Sequence, residues 1–234
     1  MMLEYIKNSQ KKILEQVSNF YTPSGIQVYF KDQLMNPDLD VEKAAAKLER
    51  LIPLHLLSEI EMIIFGHFDE FEEKEINAFY KDGALHMSNF IQDEDELLEH
   101  MIHETSHSVE EAHGKEIYYD QKIKSEFLNK RVVMYDLLWK MGFKTPKTLF
   151  TDTEYNHEFD MYLFQQIGYD KLSEIVMGLF ISPYAATSLR EYFATGFTEF
   201  YAHPNDHGYL NKISPKLFEK IELINDEEKL DTDY

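Results

Sequence analysis

Apolar and polar positions follow two rhythms along this chain of 234 residues. Residues 3–20 place Leu3, Ile6, Ile13, Leu14 and Val17 near the helical period, and Tyr21-Thr22-Pro23-Ser24-Gly25 interrupts it. Residues 26–30 (IQVYF) are β-branched and aromatic, which suits a strand. Asp40 stands where it would cap a helix over 41–58, ending near Leu57. Three short strands are predicted next, at 61–65, 76–80 and 84–88. Lys81-Asp82-Gly83 joins the last two, and its Asp-Gly pair is a hairpin signal. Residues 93–111 read as a long helix with Leu97, Leu98, Met101, Ile102 and Val109 as its buried stripe.

From about 117 to 180 the pattern is mostly helical, with large apolar residues recurring every three or four positions. Thr145-Pro146 and Thr151-Asp152-Thr153 punctuate it. A further helix starts near Ser188 and runs to about Tyr201, where His203-Pro204-Asn205-Asp206 ends it. A C-terminal helix reaches about 225, and residues 226–234 read as a frayed acidic tail. Strands followed by helices define an α+β fold, predominantly helical. No internal repeat interrupts the order.

Composition narrows the chemistry. There is no cysteine, which removes thiol nucleophiles, disulfides and thiolate ligands together, so a metal would sit on His and carboxylates. The formal charge of −20 repels phosphate backbones and argues against a nucleic-acid partner. It favours cationic or neutral substrates, although acidic surfaces also simply keep proteins in solution. No secretory h-region is visible in the first twenty residues, and no apolar run approaches the roughly 20 residues a membrane span needs. A soluble protein without membrane contact is expected, whether cytoplasmic, virion-associated, or secreted or injected by a non-classical route.

The predicted helix over 93–111 carries His103-Glu104-Thr105-Ser106-His107. Histidines four residues apart lie about 40° apart around a helix, so both imidazoles can face one ion. Glu104 projects beside that pair, where it can polarise a water instead of ligating. With 10 His in the chain, roughly 0.04 accidental matches to this spacing are expected. The alternative is two solvent-facing histidines on an acidic helix.

A third ligand must come from elsewhere. Glu191 is favoured, because it opens a helix whose small residues Ala194, Thr195 and Gly196 would permit close packing against the first helix. Glu199, His203 and His207 remain rivals. Tyr184, seven residues before Glu191, could donate a hydrogen bond to a developing oxyanion, but taken alone it is one of 15 tyrosines. Glu110 or Glu111 would orient a ligating imidazole or simply form a solvated face. Asp152, His157 and Asp160 lie near one another in sequence without diagnostic spacing for a second ion. Trp139 and the 10 methionines are expected to serve packing.

HETSH, then Pro183-Tyr184, then Glu191-Tyr192-Phe193-Ala194-Thr195-Gly196-Phe197, resembles the catalytic domain of anthrax lethal factor and its relatives, whose fold the bacterial Pro-Pro endopeptidases share. The resemblance covers about residues 60–113 and 180–225. It implies a zincin of the gluzincin type, with a small mixed sheet packed on the helix of the HExxH motif. It further implies one Zn2+ on His103, His107 and Glu191, with Glu104 as general base and Tyr184 assisting. The strands at 61–65, 76–80 and 84–88 would resemble that family's sheet, whose edge strand aligns extended substrate. One departure is clear: 84 residues separate His107 from Glu191, more than the family leads one to expect. The excess, residues 115–180, is read as a helical insert that could roof a cleft or dock a protein partner.

The expectation is therefore a single metallopeptidase domain over 1–234. Its parts are 1–59 (N-terminal helices and strand), 60–113 (sheet and HExxH helix), 115–180 (insert) and 181–225 (third-ligand and C-terminal helices). The function expected is zinc-dependent endopeptidase cleavage of a peptide or protein. The competing expectation is a zinc-containing structural or assembly component, for example phage-derived, whose site is vestigial or acts on one partner. An effector toxin domain would share the chemistry and differ in its target.

Overall fold

The structure is a computed structural model that describes residues 19–74 and 76–230. The amphipathic stretch 3–20 lies outside these residues except for Asn19 and Phe20, and Phe20 opens a strand. The fold is α+β and predominantly helical, with one five-stranded mixed sheet. The chain divides into two compact units, Met1–Ser108 and Val109–Tyr234.

In the first unit, β1 (Phe20–Tyr21), β2 (Gln27–Phe30), β3 (Met62–Gly66), β4 (Ala78–Lys81) and β5 (Ala84–Ser88) are ordered β1-β2-β3-β5-β4. β2–β3 and β3–β5 are parallel; β1–β2 and β4–β5 are antiparallel. Register explains the core. Val28, Ile63 and Leu85 stand side by side across three strands, with Phe65 and Met87 two positions on, and all five are buried. The opposite face carries Phe79 stacked on His86 at 4.3 Å. Phe68 and Phe71, at the start of helix α2 (Asp69–Lys74), close on that pair edge-to-face. Burial there pushes the His86 imidazole below its usual pKa.

Local chemistry sets the boundaries. Between β4 and β5, Asp82 (φ 49°) and Gly83 (φ 78°) both lie in the left-handed region. That is the signature of a two-residue type I′ turn, and it pins Lys81 opposite Ala84. Asp40 caps α1 (Val41–Leu51), accepting the Lys43 amide at 2.9 Å. The helix expected over 41–58 stops seven residues early. Ile52 precedes Pro53 and is forced into an extended conformation (φ −101°, ψ 130°), and only a 3-10 turn, Leu54–Leu57, follows. Helix α3 (Glu94–Tyr118) begins where Asp93 accepts the Glu96 amide at 2.8 Å and runs seven residues past its expected end. Its stripe Leu97, Leu98, Met101 and Ile102 is buried. The helix is irregular at His113 (φ −115°, ψ 21°), just before Gly114.

The second unit begins within α3 and continues through α4 (Lys122–Lys140), a 3-10 turn (Lys147–Phe150) and α5 (His157–Met161). A π-helical turn (Tyr162–Ile167), α6 (Tyr169–Val176), a second 3-10 turn (Tyr184–Ala186) and α7 (Leu189–Ala202) follow. The chain then forms α8 (Gly208–Ile213), α9 (Pro215–Asn225) and α10 (Glu227–Leu230). The expected frayed tail is thus helical as far as Leu230. Residues 115–180 pack on α7. Phe127 of α4 and Phe180 lie 5.5 and 5.8 Å from Tyr192 of α7, ring centre to ring centre, and all three are fully buried. The stretch read as an insert supplies the core on which α7 rests.

Candidate metal centre

The His103 and His107 rings are 5.1 Å apart and edge-to-face, the arrangement that i, i+4 spacing on one helix face produces. Glu104, between them, is buried, and its Oε2 accepts a hydrogen bond from the Tyr80 backbone amide at 2.9 Å. β4 lies at the edge of the sheet, so the amide that holds the carboxylate belongs to an edge strand. The intervening hydroxyls turn back on their own helix. Thr105 Oγ1 donates to Met101 O at 2.7 Å, Ser106 Oγ to His103 O at 2.5 Å and Ser108 Oγ to Thr105 O at 2.8 Å. These hydroxyls are satisfied within the helix.

Ser188 caps α7, accepting the Glu191 amide at 3.0 Å. Glu191 therefore sits in the first turn, where the helix dipole favours a negative charge. The approach to this cap is held by Arg131 of α4. Its Nη1 donates to Ala186 O (2.8 Å) and Thr187 O (3.1 Å), and its Nη2 donates to Leu149 O. Arg131 is 1% exposed and lies 4.2 Å above the Phe159 ring. Burial lowers its pKa to about 10, so it stays charged at neutral pH while three carbonyls share its protons. Tyr184 opens the 3-10 turn that Arg131 secures, and it is half-buried. A backbone bond from Leu189 N to Thr153 O (2.8 Å) ties the same helix start to residues 151–155.

One ligand atom each from His103, His107 and Glu191 lies within 4.8 Å of the others, the one such group among the described residues. Two imidazoles and a carboxylate form a nitrogen/oxygen donor set of the kind that holds zinc in catalytic sites with a position left open. The rivals are engaged elsewhere. Glu199 pairs with His203 Nδ1 at 3.4 Å, and His207 stacks on Phe200 at 4.0 Å with its Nε2 3.0 Å from Phe200 O. Asp160 accepts hydroxyls from Tyr155 (2.8 Å) and Tyr169 (3.1 Å), and Asp152 accepts the Glu154 amide at 3.0 Å, so 152, 157 and 160 do not converge.

Three expectations need correction. Gly196 makes its close approach to Leu217 of α9, because a Cβ at 196 would fall 2.3 Å from Leu217 Cδ2. Gly196 thus serves packing on the C-terminal helix. Trp139 packs at the surface and not in the core: it is exposed, its ring 5.6 Å from Tyr135 and 3.8 Å from Lys144 Nζ. The methionines divide likewise: Met87, Met101 and Met134 are buried, whereas Met35, Met141 and Met177 are exposed. Sequence reasoning did not find Tyr80 or Arg131. Tyr80 acts through its backbone, which leaves no side-chain signature, and Arg131 is one basic residue in a mixed helix.

Comparison with protein-family models, curated proteins and solved structures finds no match to the chain. Among the described residues no helix is long and apolar enough to cross a membrane. What stands is an α+β chain whose two helical histidines and one glutamate converge on a site able to hold a metal ion.

Proposed function

We propose that the chain is a zinc-dependent endopeptidase, with His103, His107 and Glu191 as ligands. The observation that carries this reading is the convergence of those three donors with Glu104 anchored between the two histidines. When bound, zinc would supply Lewis acidity and lower the pKa of water to roughly 7. Everything else falls to the chain. The Tyr80 amide occupies one oxygen of Glu104, leaving the other to accept a proton from the attacking water. Glu104 then delivers that proton to the leaving amine. Tyr184, on a turn braced through Arg131, donates a hydrogen bond to the oxyanion of the tetrahedral intermediate. Extended peptide pairs with the β4 edge, in the manner of a zincin sheet.

The test is Glu104→Ala, loaded with zinc and incubated with a diverse peptide pool. The variant is expected to retain stoichiometric zinc and lose nearly all cleavage. Wild-type protein that binds zinc and cleaves nothing would favour the structural or assembly component instead.

A further inference from the structure

Glu110 lies one turn beyond His107 on α3, where a solvated face or an imidazole partner is expected. Its Oε1 accepts the Tyr118 hydroxyl at 2.6 Å and its Oε2 lies 3.2 Å from Arg190 Nε, with the Glu110 side chain only 17% exposed. Arg190 immediately precedes Glu191. Eight residues along a straight helix span about 12 Å, far for two side chains to meet. The irregularity at His113, followed by Gly114, falls between Glu110 and Tyr118, where it accommodates this contact. Burial and the neighbouring Glu110 carboxylate push the Tyr118 phenol far up, so it keeps its proton and serves as donor. Tyr118 also packs on Phe193 of α7, ring centres 6.4 Å apart. Two independent contacts therefore join the last turns of α3 to the first turns of α7.

We propose that Glu110 is a positioning residue for the metal. The Tyr118–Glu110–Arg190 clasp sets the first turn of α7, and through it the Glu191 carboxylate, on the helix that carries His107. The inference rests on the metal reading of His103, His107 and Glu191 but not on peptidase activity. Groups that orient ligands typically contribute 10–100-fold to metal affinity.

The test is zinc affinity by competition with a chromophoric chelator, together with the visible spectrum of the cobalt(II)-loaded protein, on the full chain. Glu110→Gln and Arg190→Met are expected to weaken zinc about 10–100-fold and alter the cobalt spectrum, as loss or loosening of a carboxylate ligand does. Tyr118→Phe should cause a smaller loss, and Arg190→Lys should recover part of what Arg190→Met removes. Melting of the metal-free proteins should stay close to wild type, which separates positioning from general destabilisation. Should Glu110→Gln fail to fold, Arg190→Met, at a side chain 54% exposed, carries the test. Zinc affinity within twofold of wild type in the folded clasp variants, while Glu191→Ala loses it, overturns the clasp and leaves the metal site standing. Wild-type protein that takes up no zinc overturns the metal reading and the clasp with it.

Discussion

Gly196→Ala sets helix propensity against packing. Gly196 lies in the interior of α7, where alanine is favoured over glycine by about 1 kcal/mol. Sequence reasoning alone would make the change stabilising. In the structure the new methyl would stand 2.3 Å from Leu217 Cδ2 and 2.9 Å from its Cγ. Carbon atoms pack at about 3.5–4.0 Å, so the shortfall exceeds an ångström. Leu217 is fully buried and cannot swing aside into solvent. Overpacking of this kind costs about 1–3 kcal/mol, which leaves a net loss of about 1 kcal/mol after the propensity gain. Leu217→Ala alone should cost about 2–5 kcal/mol by opening a cavity. In the double variant the methyl at 196 enters that cavity without a clash. The double should therefore be more stable than additivity predicts by about 1–3 kcal/mol. Urea unfolding of the four proteins in excess chelator, which removes any metal contribution, measures the cycle. A more stable single variant, or additivity within about 0.5 kcal/mol, would refute the packing argument.

Other outcomes follow from the site and the core. Tyr184→Phe should lower kcat about 10²–10³-fold and leave zinc affinity unchanged; loss of zinc in equilibrium dialysis would make its role structural. Zinc at about 100 times its Kd should stabilise the chain by about 2.7 kcal/mol, seen as a rise in Tm that chelator reverses. Glu191→Ala should shrink that rise, and an undiminished rise would remove Glu191 from the ligand set. Burial lowers the Lys130 ammonium to about 8, from 10.5 in the unfolded chain, although Leu179 O, Ile213 O and Ser214 Oγ accept from it at 2.6–2.9 Å. The unfolded chain then holds the extra proton between about pH 8 and 10.5, so stability gained from this residue should rise with pH across that window. Urea unfolding of wild type and Lys130→Met at several pH values measures it, and a difference that is flat or falls with pH contradicts the assignment.

Much of the first unit was legible because its signals are local. The Asp82-Gly83 turn, the Asp40 cap and the stripe from Leu97 to Ile102 each depend on residues within a few positions of one another. The helix end at Ile52 is set locally as well, because Pro53 disfavours the helical conformation at the residue before it. The aromatic-rich stretch 115–180 was harder. Its periodicity predicts helices but not which neighbour buries Phe127 or Phe180, and both rings pack on Tyr192 of α7.

The sequence by itself determined the two histidines and Glu104, because helical geometry alone puts residues 103, 104 and 107 on adjoining faces. It determined the absence of thiolate ligands as well. The sequence favours Glu191 over Glu199, His203 and His207, but only the tertiary structure brings its carboxylate near the two histidines and pairs the rivals elsewhere, because contacts across 84 residues depend on folding. Likewise only the fold brought the Tyr80 amide to Glu104 and Arg190 to Glu110. Those contacts depend on the placement of an edge strand and on where α7 starts against α3, neither of which periodicity encodes.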